Sequence, residues 1–222
     1  MQITIFKDIK ETSQPFYRHV DIIIKRIREG ASKTLVKKIR SEKNKEKRNI
    51  LKQKLPAVCF SGTFSKRNDG ALQEHSGIIC LDFDGYPSSK AMLMEKEKLC
   101  KDKFVYSVFI SPSGQGLKAL VKIPKEPDNH KNYFNSLEVY FGSDYFDKTS
   151  KNISRVCYES YDPLIHSNET SSVWDKIYEE QYTEVEKHVD IPTIPITDEN
   201  KIVDILTKWW QKKYPMVEGQ RN

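Results

Sequence analysis

Two aspartates spaced by one residue close an apolar run, Ile78-Ile79-Cys80-Leu81-Asp82-Phe83-Asp84-Gly85. Side chains alternate along a strand, so Asp82 and Asp84 share one face and Phe83 takes the other. Neighbouring carboxylates repel, and each loses hydration when packed against a sheet. A bound cation relieves both penalties, so the pair reads as a divalent-metal site at a strand end. About thirty residues on, Ser111-Pro112-Ser113-Gly114-Gln115-Gly116 opens directly into Leu117-Lys118-Ala119-Leu120-Val121-Lys122-Ile123. Its glycines permit close backbone approach to a phosphate, and Lys118 supplies a fixed positive charge beside it. A metal site next to a phosphate cradle points to nucleotide chemistry.

The surrounding pattern supplies elements able to hold these residues. Met1 to Phe6 alternates as a strand, and Val20, Ile23, Ile24 and Ile27 recur at helical spacing up to Gly30. A second, lysine-rich helical stretch follows from Ser32 or Thr34 and stops at Pro56. Strands are expected over Ala57–Phe60, Ile78–Phe83, Val105–Ile110, Lys118–Ile123 and Ser154–Glu159, with helices over Ser88–Leu99 and His130–Phe141. Arg67 to Glu74 is polar and reads as a loop, with His75 an ordinary loop histidine. The order predicts an α+β fold: helices packed on a mostly antiparallel sheet, after a basic helical N-terminal segment. That domain spans 1–175, with its basic part at 20–55. A linker over 176–197 leads to an amphipathic helix within 198–222, centred on Asp198–Tyr214, which reads as the start of a further helical domain.

Charge is unevenly placed. The 222 residues carry a net +6, yet Lys25 to Lys54 holds thirteen basic residues against Glu29, Glu42 and Glu46, a local +10 that leaves the rest at −4. A basic segment beside a metal site suits a polyanion such as nucleic acid, and Lys37, Lys38 and Arg40 are its candidate contacts. Lysine-rich helices also serve solubility alone. The four cysteines, Cys59, Cys80, Cys100 and Cys157, form no C-x-x-C pair, so a zinc knuckle is not expected and buried free thiols are. With no signal-peptide start and no apolar run long enough to span a bilayer, the expectation is a cytoplasmic protein without a membrane partner.

Together these segments resemble the archaeo-eukaryotic primase (primase-polymerase) superfamily, in its virulence-protein-E N-terminal-like branch of bacteria, phages and mobile elements. There a strand-borne D-x-D binds metal, matched by Asp82 and Asp84. A small-residue turn follows, matched by Ser111–Leu117, although the histidine expected after it is replaced by Lys118. Lysine holds a triphosphate as a point charge but cannot share a proton at neutral pH. An apolar-Asp pair completes the metal site, best matched by Phe146-Asp147, with Asp144 and Asp162 as competitors. Ser154-Arg155-Val156-Cys157-Tyr158 and Ser160-Tyr161-Asp162-Pro163 fit the same branch. The resemblance covers about residues 1–175.

It implies an RRM-like primase-polymerase core and a nucleotidyltransferase acting as a DNA primase or polymerase in phage, plasmid or mobile-element replication. Asp82, Asp84 and Asp147 would hold two Mg²⁺ or Mn²⁺ ions. Ser111, Ser113, Lys118 and the amides of Gly114 and Gly116 would take the triphosphate, with Arg155 as a further phosphate contact. The implied partners are nucleoside triphosphates, a single-stranded DNA template and a helicase or ATPase domain or protein. Two other readings stay open. One is a non-catalytic nucleic-acid-binding replication module. The other is a haloacid-dehalogenase-type phosphatase with Asp82 as nucleophile, although that family wants threonine where Tyr86 stands.

Overall fold

The computed structural model describes residues 1–178 and, farther on, 201, 203, 204 and 206–208. The chain divides into two units, Met1–Glu179 and Glu180–Asn222. In the first, β1 (Gln2–Phe6) and β2 (Phe16–His19) lead into α1 (Val20–Glu29), α2 (Lys33–Ser41) and α3 (Lys45–Lys52). Then come β3 (Ala57–Cys59), β4 (Gly62–Phe64), β5 (Leu72–His75), β6 (Ile78–Phe83) and α4 (Ser89–Lys101). The unit continues with β7 (Val105–Ile110), β8 (Leu117–Lys122), α5 (His130–Phe141), β9 (Cys157–Tyr158) and β10 (His166–Ser167). In the second unit the six described residues are helical, with Lys208 Nζ 2.8 Å from Asp204. The rest of the helix expected over Asp198–Tyr214, and the linker beyond Tyr178, lie outside the described residues.

The α+β class holds, but the single sheet expected is two. One runs β2-β1-β3-β9 and the other β10-β7-β8-β6, each with antiparallel pairing, beside a β4-β5 ribbon. The second sheet is covered on both faces. Ile79, Leu81 and Phe83 point into a core with α4, α5 and the buried Trp174. Ile78, Phe109 and Leu120 face the first sheet and α1 through Ile3, Ile24 and Val58. Double coverage explains why β6 reads as an unbroken apolar run rather than an alternating one. Phe83 sets the direction of its neighbours. It is fully buried and meets Phe141 and Phe146 edge to face at 5.9 and 5.3 Å. Burial of such a ring contributes about 1.5–3 kcal/mol, and alternation then sends Asp82 and Asp84 to the opposite side.

Three local expectations change. β2 and β5 were not expected, because neither carries a buried alternating stripe: β2 is exposed throughout and β5 is buried only at His75. Ladder bonds, not hydrophobic faces, hold them. The long helix from 32 to 55 is broken at Glu42–Asn44, where Asn44 leaves helical geometry and caps α3 by accepting from Lys47 N. His75 is no loop residue. It ends β5 buried, its Nδ1 accepts from Gly77 N, and its Nε2 lies 3.1 Å from His130 Nδ1. No helix among the described residues is long and apolar enough to cross a membrane. The four cysteines are free thiols.

Candidate functional site

β6 and β8 pair so that Asp82 stands directly opposite Lys118. Side chains opposed on one face of an antiparallel pair touch, and Lys118 Nζ is bonded to Asp82 Oδ2. Burial is the largest influence and would lower the lysine, but the Asp82 charge, the neighbouring Cys157 and Cys80 and the hydrogen bond to Asp82 together hold the ammonium above its usual range. Lys118 therefore neutralises a carboxylate instead of standing free beside the turn, although it still lines the cavity there. The pair leaves Asp82 incomplete, since Asp82 Oδ1 is buried with no partner. Asp84, on the same face, opens onto a cleft. Its carboxyl is raised by desolvation and then by the Asp82 charge, with Lys118 and Lys52 only partly offsetting this.

Two backbone strands lock this corner. Tyr145–Asp147 runs antiparallel to the end of β6, with Asp84 N bonded to Tyr145 O and Asp147 N to Asp82 O, both at 2.8 Å. On the other side Gly116 lies under Asp84. A Cβ there would fall 2.1 Å from Asp84 Oδ1 and 2.8 Å from Phe83 O, so the position admits only glycine while Asp84 keeps its place.

The three candidate metal ligands are not brought together. Among the described residues no three His, Cys, Asp or Glu side chains are grouped closely enough to hold a metal ion. The Asp147 carboxylate turns into its own loop, accepting from Thr149 N, Thr149 Oγ1 and Ser150 Oγ at 2.9, 2.6 and 2.6 Å, with Arg155 at 3.8 Å. Burial pushes this carboxyl up, but the Ser150 and Thr149 donors prevail and hold it below the usual range. The hydroxyls two and three residues downstream satisfy Asp147 locally, a contact that motif spacing does not register. The competitor Asp162 is structural as well, bonded to Lys96 Nζ at 2.7 Å and to the Ile110 and Leu164 amides.

The turn between β7 and β8 forms the opposite rim. Ser111 N donates to Gly116 O, Gly114 N donates to Ser111 O, and the Ser111 and Ser113 hydroxyls lie 3.0 Å apart. Gly114 sits at φ 75°, in the left-handed region. Arg40 clamps this turn from α2: its Nη2 donates to Ser111 O and Tyr161 O at 3.1 and 2.9 Å. Arg40, a candidate nucleic-acid contact in the sequence, thus holds the turn through Nη2, while its Nε is buried without a partner. Lys37 and Lys38 stand exposed on the far side of α2, away from the cleft linings.

Asp82, Asp84, Ser111, Ser113, Lys118 and Arg155 do line one cavity, of about 190 Å³. It adjoins a larger cleft of about 640 Å³, and Lys52, Asp84 and Ser113 border both. The wall of the larger cleft is Lys45, Arg48 and Lys52 of α3, facing Ser113-Gly114-Gln115. These three lysine and arginine residues were part of the basic stretch in sequence but not singled out. Their i, i+3/i+4 spacing was the available signal. Tyr86 was also missed; it borders the larger cleft and stacks on Tyr145 with centroids 4.3 Å apart.

No curated protein matches the sequence. Among solved structures, the AEP domain of the cyanophage S-2L primase-polymerase (PrimPol) is similar, with a TM-score of 0.41 and 11% identity, covering 78% of this chain and 83% of that one. That likeness is too distant to fix activity. The sequence match is firmer. Residues 50–166, which carry β6, the clamped turn, β8 and the Asp147 loop, match the family described as BT4734-like, N-terminal domain; they are more than half of the chain, and the chain belongs to that family.

Proposed function

We propose that the cleft is the active site of a metal-dependent nucleotidyltransferase of primase-polymerase type, serving replication of a phage, plasmid or mobile element. The observation that carries this reading is the incomplete carboxylate pair: Asp82 Oδ1 buried without a partner, beside an Asp84 carboxyl raised by its surroundings. Uncompensated buried charge is destabilising, and a cation is its natural complement. The donor set fits Mg²⁺ or Mn²⁺ bound through one or two carboxylates, the remaining positions going to substrate phosphates and water. A divalent ion held there supplies charge neutralisation at the reacting phosphate and acidifies an attacking hydroxyl.

The chain's own groups do the remaining work. Asp82 and Asp84 hold the ion, and Lys118 keeps Asp82 oriented through its bonded oxygen. The Ser111 and Ser113 hydroxyls and the backbone around Gly114 and Gly116 receive phosphate oxygens, in a turn whose shape Arg40 maintains. Arg155, half-exposed at the smaller cavity, adds a cation at its mouth. Asp147 acts in this reading through its backbone bond to Asp82 O. It becomes a metal ligand only by leaving Thr149 and Ser150.

With Mn²⁺, nucleoside triphosphates and a single-stranded DNA template, the protein should synthesise or extend oligonucleotides, and Asp82→Ala or Asp84→Ala should each abolish the product. A trapped phospho-enzyme requiring Asp82 would point instead to a phosphatase. A second reading, a nucleic-acid-binding module without catalysis, is favoured by one observation: both Asp82 and Asp147 already have partners. Template binding that persists in both alanine variants, with no nucleotide binding in Mn²⁺, would select it.

A further inference from the structure

Resting on that reading, we propose that Arg48 and Lys52 of α3 bind the polyphosphate chain of the nucleotide across the cleft from Asp84. Lys118 is bonded to Asp82 and lines the smaller cavity, not the larger cleft. Arg48 and Lys52 are four residues apart and so lie on one face of the helix. That face borders the larger cleft, and Lys52 also borders the smaller one beside Asp82 and Asp84. Both side chains are half-buried, whereas Lys45 and Lys47 on the same helix are exposed. Among the described residues neither has a carboxylate partner or a side-chain hydrogen bond. Two partly desolvated like charges without counter-ions mirror the carboxylate pair opposite. Burial, and then the charge of Arg48, lowers the Lys52 ammonium, while Asp84 and Asp82 offset this only in part.

A small apolar cluster seats the helix that holds them. Leu51 of α3 packs against the cluster of Val36, Ile39 and Leu55, so Arg48 and Lys52 are positioned by a helix seated on a small core. The opposing wall is the Ser113-Gly114-Gln115 stretch of the clamped turn. Cations on one side, the turn with its Ser113 hydroxyl on the other and the Asp84 carboxylate between them suit a phosphate chain carrying a divalent ion. The choice of a free nucleotide over a nucleic-acid strand rests on size: a cleft of about 640 Å³ falls within the roughly 300–1,000 Å³ of small-molecule sites.

The test uses the full chain with inorganic tripolyphosphate as probe, in EDTA, alongside a separate titration of free Mn²⁺. Arg48→Gln and Lys52→Gln should each weaken tripolyphosphate binding by about tenfold, since each removes a charge-assisted contact, and should leave Mn²⁺ affinity unreduced. Asp84→Asn should do the reverse, weakening Mn²⁺ and sparing tripolyphosphate. Neither α3 residue is fully buried, and a circular dichroism melt confirms that the variants fold. Tripolyphosphate binding that is absent in the unaltered protein, or undiminished in both variants, overturns the inference while leaving the carboxylate site standing. Loss in the α3 variants with no Mn²⁺ binding anywhere would uphold the phosphate wall and remove the nucleotidyltransferase reading. A short single-stranded oligonucleotide supplies the last arm. If the variants lose oligonucleotide affinity but keep tripolyphosphate affinity, the wall serves a nucleic-acid backbone and the inference fails.

Discussion

Two buried lysine-aspartate pairs sit in this domain, and they are finished differently. Lys96 and Asp162 join α4 to the loop after β9. Asp162 accepts from Lys96, Ile110 N and Leu164 N, while Lys96 donates also to Leu164 O at 2.8 Å, so both carboxylate oxygens and two of the three ammonium donors are used. Lys118 and Asp82 are comparably buried, with 15% and 11% of their side chains exposed, but one Asp82 oxygen has no partner and a second carboxylate stands beside it. A completed pair is structure. An incomplete one at a cleft is a place for something that arrives, and that contrast, more than the D-x-D spacing, separates the candidate site from ordinary buried polarity.

The contrast can be broken by removing each lysine in turn. Lys96→Met and Lys118→Met should each destabilise the domain by about 3–5 kcal/mol in urea unfolding, because each strands a buried carboxylate. Mn²⁺ should then distinguish them. Millimolar metal should stabilise every form that keeps the Asp82–Asp84 pair, but the gain beyond that of the unaltered protein should be large in Lys118→Met, where the second Asp82 oxygen is freed, and absent in Lys96→Met. Equal responses to metal would mean that the Asp82 corner is as closed as the Asp162 one.

A third buried polar pair sharpens the comparison from the neutral side. Gly77 N occupies His75 Nδ1, which leaves the proton on Nε2 to be donated to His130 Nδ1. Burial drives both rings down, His75 to about 4 with help from Lys125, and His130 to about 3 with help from His75 and Lys131 against Asp69. The folded state thus resists protons that the unfolded chain accepts near pH 6.5. Stability should be full above that pH and fall as pH drops toward 3–4, by up to about 1.4 kcal/mol per pH unit for each ring. Urea titrations between pH 7.5 and 4 should show this, and His130→Gln should flatten the slope. A slope unchanged in that variant would assign the acid loss to other groups.

The smallest effect belongs to the charges that touch nothing. Lys37→Glu with Lys38→Glu should shift stability by no more than about 0.5 kcal/mol. It should alter nucleic-acid binding only through the salt-dependent term, which fades as ionic strength rises. A large loss that survives high salt would make the exposed face of α2 a specific contact.

Much of the domain was legible before any fold was known. The apolar run of β6 announced a strand covered on both sides, Phe83 announced the face from which Asp82 and Asp84 must point away, and Gly114 and Gly116 announced a tight turn. The period of α1 and its end at Gly30, which takes φ 87°, were equally plain. These features rest on short-range geometry: alternation, helical period and the conformational freedom of glycine.

What decided the chemistry of each side chain was long-range. The register of β6 on β8 set Lys118 against Asp82 and made it an ion-pair partner. Arg40 and Lys52, twelve residues apart in one basic stretch, went to opposite duties only because the break at Glu42–Asn44 turned α3 toward the cleft while α2 packed behind the turn. Asp147 and Asp162 looked interchangeable as ligands; the turn at Thr149 and Ser150 satisfies the first locally, and only the second waited for the fold to bring Lys96 to it. Charge is written in the sequence, but whether a charge is spent or free depends on which groups the tertiary structure brings within hydrogen-bond reach, and that distance is not encoded in spacing along the chain.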